Sequence, residues 1–186
     1  MADHNSTTPG TDERSMRYLR ELGSLNLRFI QLLCATDNPP GQPGPIDELR
    51  SRLRLLGETD HRRLSSCPYS LFDLDLGQAD KWTRLLRSVP VAVASSDQAT
   101  CQFTLAALIF AQRLAHNNAD LGRLLMGMNR VVAALLRDTT VGQLMDRTAQ
   151  LSECLKPRLV NDPNFWPDLV NYVQEGTPQQ YLAAQT

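Results

Sequence analysis

The chain has 186 residues, 42% hydrophobic and 21% charged, with a formal charge of −1, so there is room for one domain or for two small ones sharing a core. Near-neutral charge gives no whole-molecule attraction to phosphate backbones and confines any nucleic-acid contact to a local basic patch. No run of about 18 apolar residues is present, and the start MADHNSTTPGTDE lacks the basic-then-apolar layout of a signal peptide, so a cytoplasmic location is expected.

Arginine almost excludes lysine: Lys81 and Lys156 are the only lysines. Planar recognition of phosphate or carboxylate would favour arginine, but a GC-rich genome yields the same bias and is the simpler cause. The four cysteines, Cys34, Cys67, Cys101 and Cys154, form no C-x-x-C pair, and His4, His61 and His116 are scattered. No metal site or cofactor is therefore expected, and each cysteine reads as a small buried apolar side chain.

In chain order, residues 1–11 are Ser/Thr/Asn/Gly-rich and are expected to be disordered. From Asp12 to Thr36, the residues Leu19, Leu22, Leu25, Phe29, Leu32 and Leu33 mark one apolar face of a long amphipathic helix, with Gly23-Ser24 as a point of kinking or division. The prolines and glycines of Asn38 to Pro45 impose a loop. Ile46 to Leu56 is a second amphipathic helix, stopped by Gly57, whose Arg50, Arg52 and Arg54 fan across a solvated surface; Thr59 to Ser65 adds another helical turn.

Cys67 to Leu76 alternates apolar and polar residues, which predicts an extended segment with one buried face. Asp73 and Asp75 share a side of it, as a paired acid and base or a metal site would, but the simpler expectation is that they form its solvent face. Ala79 to Arg87, with Trp82, Leu85 and Leu86, returns to helix, and residues 89–96 read as a linker before Asp97 caps the next helix.

The second half is organised around Phe103 to Cys154. Leu105, Leu108, Ile109, Leu114, Leu121, Leu124 and Leu125 recur at helical intervals, the pattern restarts after Gly127 with Val131, Leu135 and Leu136, and it breaks at Asp138-Thr139-Thr140. Thr140 with Gln143 forms a capping box for a helix expected over Val141 to Leu151. A short extended piece follows Cys154, and Asp162-Pro163 opens a last helix holding Phe165, Trp166, Leu169, Val170 and Tyr172. Residues 176–186 read as a frayed tail.

Phe103-Thr104-Leu105, Ala111-Gln112-Arg113-Leu114, the Leu-rich turn ending at Gly127, Thr140 to Leu144 and Cys154 follow one another with the order and spacing of the FlhD family, which this stretch resembles. The resemblance covers a quarter to a third of the chain. It implies an all-helical bacterial transcription-regulator subunit that works with a FlhC-like partner, contacts promoter DNA mainly through the complex, and is not an enzyme.

An internal repeat reinforces this reading. Leu64-Ser65-Ser66-Cys67, an extended piece, then Trp82 and Leu85-Leu86 are echoed by Leu151-Ser152-Glu153-Cys154, an extended piece, then Trp166 and Leu169-Val170. Upstream, Leu25 to Phe29 stands to the first cysteine roughly as Phe103 to Ala107 stands to the second. Two diverged copies, 12–88 and 97–175, are expected, the first lacking the helix that corresponds to Asn129 to Arg137. FlhD-like proteins pair as intertwined homodimers, so a tandem copy implies a pseudo-dimer within one chain. Its expected interface comprises Cys67, Cys154, Trp82, Trp166, Leu25, Phe29, Leu105 and Leu108. The family cysteine at the subunit contact implies that Cys67 and Cys154 sit near the pseudo-twofold axis.

No G-x-S-x-G, P-loop or H-E-x-x-H motif is present. Arg123, Arg130 and Arg137 repeat every seven residues, and with Arg147 they are candidates for phosphate contact, a solvated face being the alternative. Helices 129–137 and 140–151 also suit a helix-turn-helix pair, with Gln143 and Arg147 among its base readers. The rival function is a helical protein–protein adaptor that touches no DNA.

Overall fold

The computed structural model describes residues 9–36, 44–89 and 97–175. Of residues 1–11, expected to be disordered, 9–11 belong to the first helix and 1–8 lie outside the described residues, as do most of the Asn38 to Pro45 loop, nearly all of the 89–96 linker and the tail. Among the described residues there are ten helices and one two-stranded sheet, so the fold is mostly helical.

The first half holds α1 (Pro9–Ala35), α2 (Pro45–Arg54), α3 (Glu58–Ser65), β1 (Phe72–Asp73) and α4 (Ala79–Arg87). The second holds α5 (Gln98–Asn117), α6 (Ala119–Met126), α7 (Arg130–Asp138), α8 (Val141–Asp146), α9 (Thr148–Ser152), β2 (Lys156–Pro157) and α10 (Phe165–Glu175).

Boundaries follow local chemistry. Asp97, Asn118, Asn129 and Thr140 each accept a hydrogen bond from a backbone N–H in the first turn of α5, α6, α7 and α8. Gly127 ends α6 with φ of 65°, a left-handed conformation that suits glycine. Gln112, buried on α5, donates to the carbonyls of Leu136 and Thr139 and so closes the C-terminal end of α7.

The structure corrects three expectations. α1 runs unbroken through Gly23-Ser24; a side chain at Gly23 would come within 3.3 Å of the Ser65 carbonyl, so the glycine admits close approach of α3. The helix begun at Thr140 ends at Asp146, not Leu151, because Arg147 leaves helical geometry and directs its guanidinium to the Leu85 carbonyl at 2.7 Å. The segment after Cys67 forms only a two-residue strand, and Asp75 is buried, not on a solvent face. With φ of 54°, Asp75 departs from extended geometry, which breaks the alternation on which the expectation rested.

One core runs through both halves. α1 packs on α3 and on α5, and Phe29, Phe72 and Phe103 meet with ring centroids 5.1–5.7 Å apart, joining α1, β1 and α5. The terminal helices cross over: α4 packs on α7 of the second half, and α10 packs on α3 of the first.

Candidate functional site

At the centre of this crossing, β1 and β2 pair antiparallel, Phe72 opposite Pro157 and Asp73 opposite Lys156. Each strand leads into the same local geometry. Asp75 and Leu159 both have positive φ, 54° and 51°. The indole N–H of Trp82 donates to the Leu74 carbonyl at 3.1 Å, and that of Trp166 to the Arg158 carbonyl at 2.7 Å, each reaching eight residues back. Just upstream, Leu64, Ser65 and Cys67 are buried, and so are Leu151, Ser152 and Cys154.

Backbone bonds stitch the halves around this point. Arg158 N donates to Leu71 O at 2.9 Å, Ser70 N to Leu125 O at 2.8 Å, and Asn129 N to Leu76 O at 2.9 Å. Side chains add to them. Arg158 donates to Ser70 Oγ and to the Leu125 carbonyl, Arg63 to the Val173 carbonyl, and Arg113 pairs with Glu21.

The two lysines of the chain converge on one carboxylate. Asp75, 5% exposed, receives Lys81 Nζ at 2.6 Å on one oxygen and Lys156 Nζ at 2.5 Å on the other. Burial alone would raise the Asp75 carboxyl, but the hydrogen bonds from Lys156 and then Lys81 outweigh it and hold the group below the usual carboxylate range. The bond to Asp75 correspondingly raises Lys81. Two compact ammonium ions can share one carboxylate where two guanidinium forks would crowd. Lys81 belongs to the first half and Lys156 to the second, so the trio is a tie between them. Neither lysine was a candidate on sequence grounds; their rarity in an arginine-rich chain was the available signal.

Of the eight expected interface residues, Leu25, Phe29, Leu108, Trp82, Trp166, Cys67 and Cys154 are buried, and Leu105 is half-buried against the core. Each cysteine is a free thiol near charged groups of the opposite half, Cys67 near Arg158 and Cys154 near Lys81 and Asp75. Burial pushes both thiols up. Sequence reasoning missed Asn26, which is fully buried on α1: its amide donates to the carbonyls of Ser65, Cys67 and Tyr69, at 2.9 Å for Tyr69, and its carbonyl accepts from Leu71 N at 2.9 Å. A polar residue set into an apolar helical face was the signal.

The DNA-contact candidates divide. Arg123 pairs with Asp120 at 3.4 Å, Gln143 is used in the Thr140 capping box, and Arg147 donates to the Leu85 carbonyl. Arg130 and Arg137 are exposed on α7 and form no ion pair among the described residues. The helix-turn-helix expectation is weakened because its second member is interrupted at Arg147. Among the described residues no group of three or more His, Cys, Asp or Glu is placed to hold a metal, and no helix is long and apolar enough to cross a membrane. Comparison with family models, with curated proteins and with solved structures found no match to this chain.

Proposed function

We propose that this chain is a non-enzymatic regulator subunit of FlhD-like type, in which two diverged copies of one helical unit, 12–88 and 97–175, clasp each other as a dimer would. In this reading the assembled surface binds a FlhC-like protein partner, and promoter DNA is met mainly within that complex. The observation that carries the reading is the crossing of the halves: β1 pairs with β2, while α4 packs on α7 of the second half and α10 on α3 of the first. The matched positive φ values and tryptophan hydrogen bonds support common descent of the two units. Burying the apolar faces of two small units against each other removes the need for an intermolecular partner to complete the core.

The adaptor reading, without DNA, gains support from the engagement of Gln143 and Arg147 within the molecule. One experiment separates the two. The full chain is recovered from its native host and treated with nuclease, and the eluate is tested for shift of host promoter fragments at rising salt. A regulator subunit keeps its protein partner after nuclease. The complex shifts promoter DNA with an affinity that falls as salt rises, and Arg137→Glu weakens that shift while the partner is retained. An adaptor keeps the partner and shows no shift. Loss of every partner on nuclease treatment would contradict both.

A further inference from the structure

The second half carries an apolar and cationic face that the fold leaves uncovered. Leu124 on α6 is 59% exposed and Val131 on α7 is 51% exposed. Beside Leu124 lies an open groove of about 610 Å³ whose lining includes Gly77, Arg123, Gly127 and Asn129. Asp120 also lines it and pairs with Arg123 at 3.4 Å. Arg158 reaches its edge, with Nη2 3.4 Å from where a Cβ on Gly127 would stand, and its hydrogen bonds run to Ser70 Oγ and the Leu125 carbonyl, not to a carboxylate. Arg130 follows Asn129 directly and is exposed. Arg123 in the groove lining, Arg130 next to lining Asn129 and Arg158 beside lining Gly127 thus outnumber the lining carboxylate Asp120, in a chain whose formal charge is −1.

From this we infer that the α6–α7 face is the docking surface for an acidic segment of a protein partner, with apolar side chains entering the groove beside Leu124 and Asp or Glu meeting Arg123, Arg130 and Arg158. The inference rests on the reading of the chain as a partner-binding subunit and specifies the chemistry of that partner. Nucleic acid fits less well, because a phosphate backbone gains nothing from exposed Leu124 and Val131. A second copy of the chain would set cations against cations across a twofold contact. In the first half Arg50 pairs with Asp47 and Arg52 with Glu48, which leaves Arg54, held by the Cys34 and Thr36 carbonyls, as the surplus cation of α2.

The test is site-specific photo-crosslinking of the full chain in its native host, with p-benzoylphenylalanine at position 124 or 131 and, as a control, at Leu55, which is 85% exposed in the first half. Adducts are mapped to the crosslinked peptide. The expected result is one protein adduct shared by positions 124 and 131 and absent at 55, on a peptide with apolar residues and an excess of Asp and Glu. Arg123→Glu with Arg130→Glu should reduce the adduct at least tenfold, whereas the charge-matched pair Arg17→Glu with Arg20→Glu on α1 should leave it unchanged. A neutral or basic peptide, an adduct with nucleic acid or with the chain itself, equal loss with both arginine pairs, or no adduct would overturn the inference. If a nuclease-resistant partner copurifies while positions 124 and 131 stay silent, only this surface is wrong; if no partner copurifies, the regulator reading fails with it.

Discussion

Asn26 gives the sharpest single-residue prediction. It is wholly buried on α1 and holds the segment between Ser65 and Leu71, which delivers β1 to the crossing. Its amide has two protons for three carbonyls, and the bonds to Ser65 and Cys67 are long, at 3.4 and 3.3 Å. The energy therefore resides mainly in the bonds with Tyr69 O and Leu71 N, both at 2.9 Å. Asn26→Leu keeps the branched shape, removes the bond to Tyr69 O and strands the buried Leu71 N. At about 1–3 kcal/mol for the stranded group and about 0.5–1.5 kcal/mol for the lost bond, the expected loss is about 1.5–4.5 kcal/mol. That is a large share of the ~5–15 kcal/mol typical of a domain. Urea unfolding followed by circular dichroism should show the midpoint falling by roughly 1–2 M with an unchanged slope. Asn26→Ala should lose at least as much, since it adds a cavity. If Asn26→Leu lies within about 0.5 kcal/mol of the parent, the range of a neutral surface substitution, the hydrogen-bond argument is wrong.

Three further outcomes follow from the same contacts. Thr104, also fully buried, has a hydroxyl with no hydrogen-bond partner among the described residues, so Thr104→Val should be neutral or raise stability by up to about 1–2 kcal/mol, measured in the same denaturation assay, the sign opposite to Asn26→Leu. Asp75→Asn should cost about 1.5–3 kcal/mol near neutral pH by removing charge-assisted bonds to Lys81 and Lys156. Because the Asp75 carboxyl is depressed in the folded state, its contribution is present above the unfolded value of about 3.9 and is lost as pH falls through the folded value, so the melting temperatures of parent and variant should converge below about pH 4. Cys67 and Cys154, buried and with raised thiols, should resist an aromatic disulfide reagent until the protein unfolds, whereas prompt labelling of either would contradict the burial described.

What the sequence made legible was what depends on near neighbours. Helical spacing placed α5 to α7, Asp97 and the Thr140 to Gln143 box marked helix starts, and Ala79–Arg87 was placed to the residue. The recurrence of the Leu-Ser-x-Cys segment and of tryptophan pointed to the residues that lie around the crossing of β1 and β2. Long-range partners were not legible. Asp75 reads as solvent-facing until its positive φ and the lysines from two separate elements are known. The heptad of arginines treats Arg123, Arg130 and Arg137 as equals, although Asp120 engages only the first. Arg147, a candidate phosphate contact by charge, turns inward because a carbonyl at the end of α4 lies within its reach.

The central claim is that each half completes its fold on the other, and cutting the chain between them tests it most directly. A protease site inserted between Val89 and Asp97 allows cleavage of the folded protein, followed by size-exclusion chromatography and near-ultraviolet circular dichroism in native buffer. Mutual clasping predicts that the two fragments elute together at the position of the uncut chain, with tertiary signal intact, and separate only in denaturant. Two independently eluting, folded fragments would contradict it.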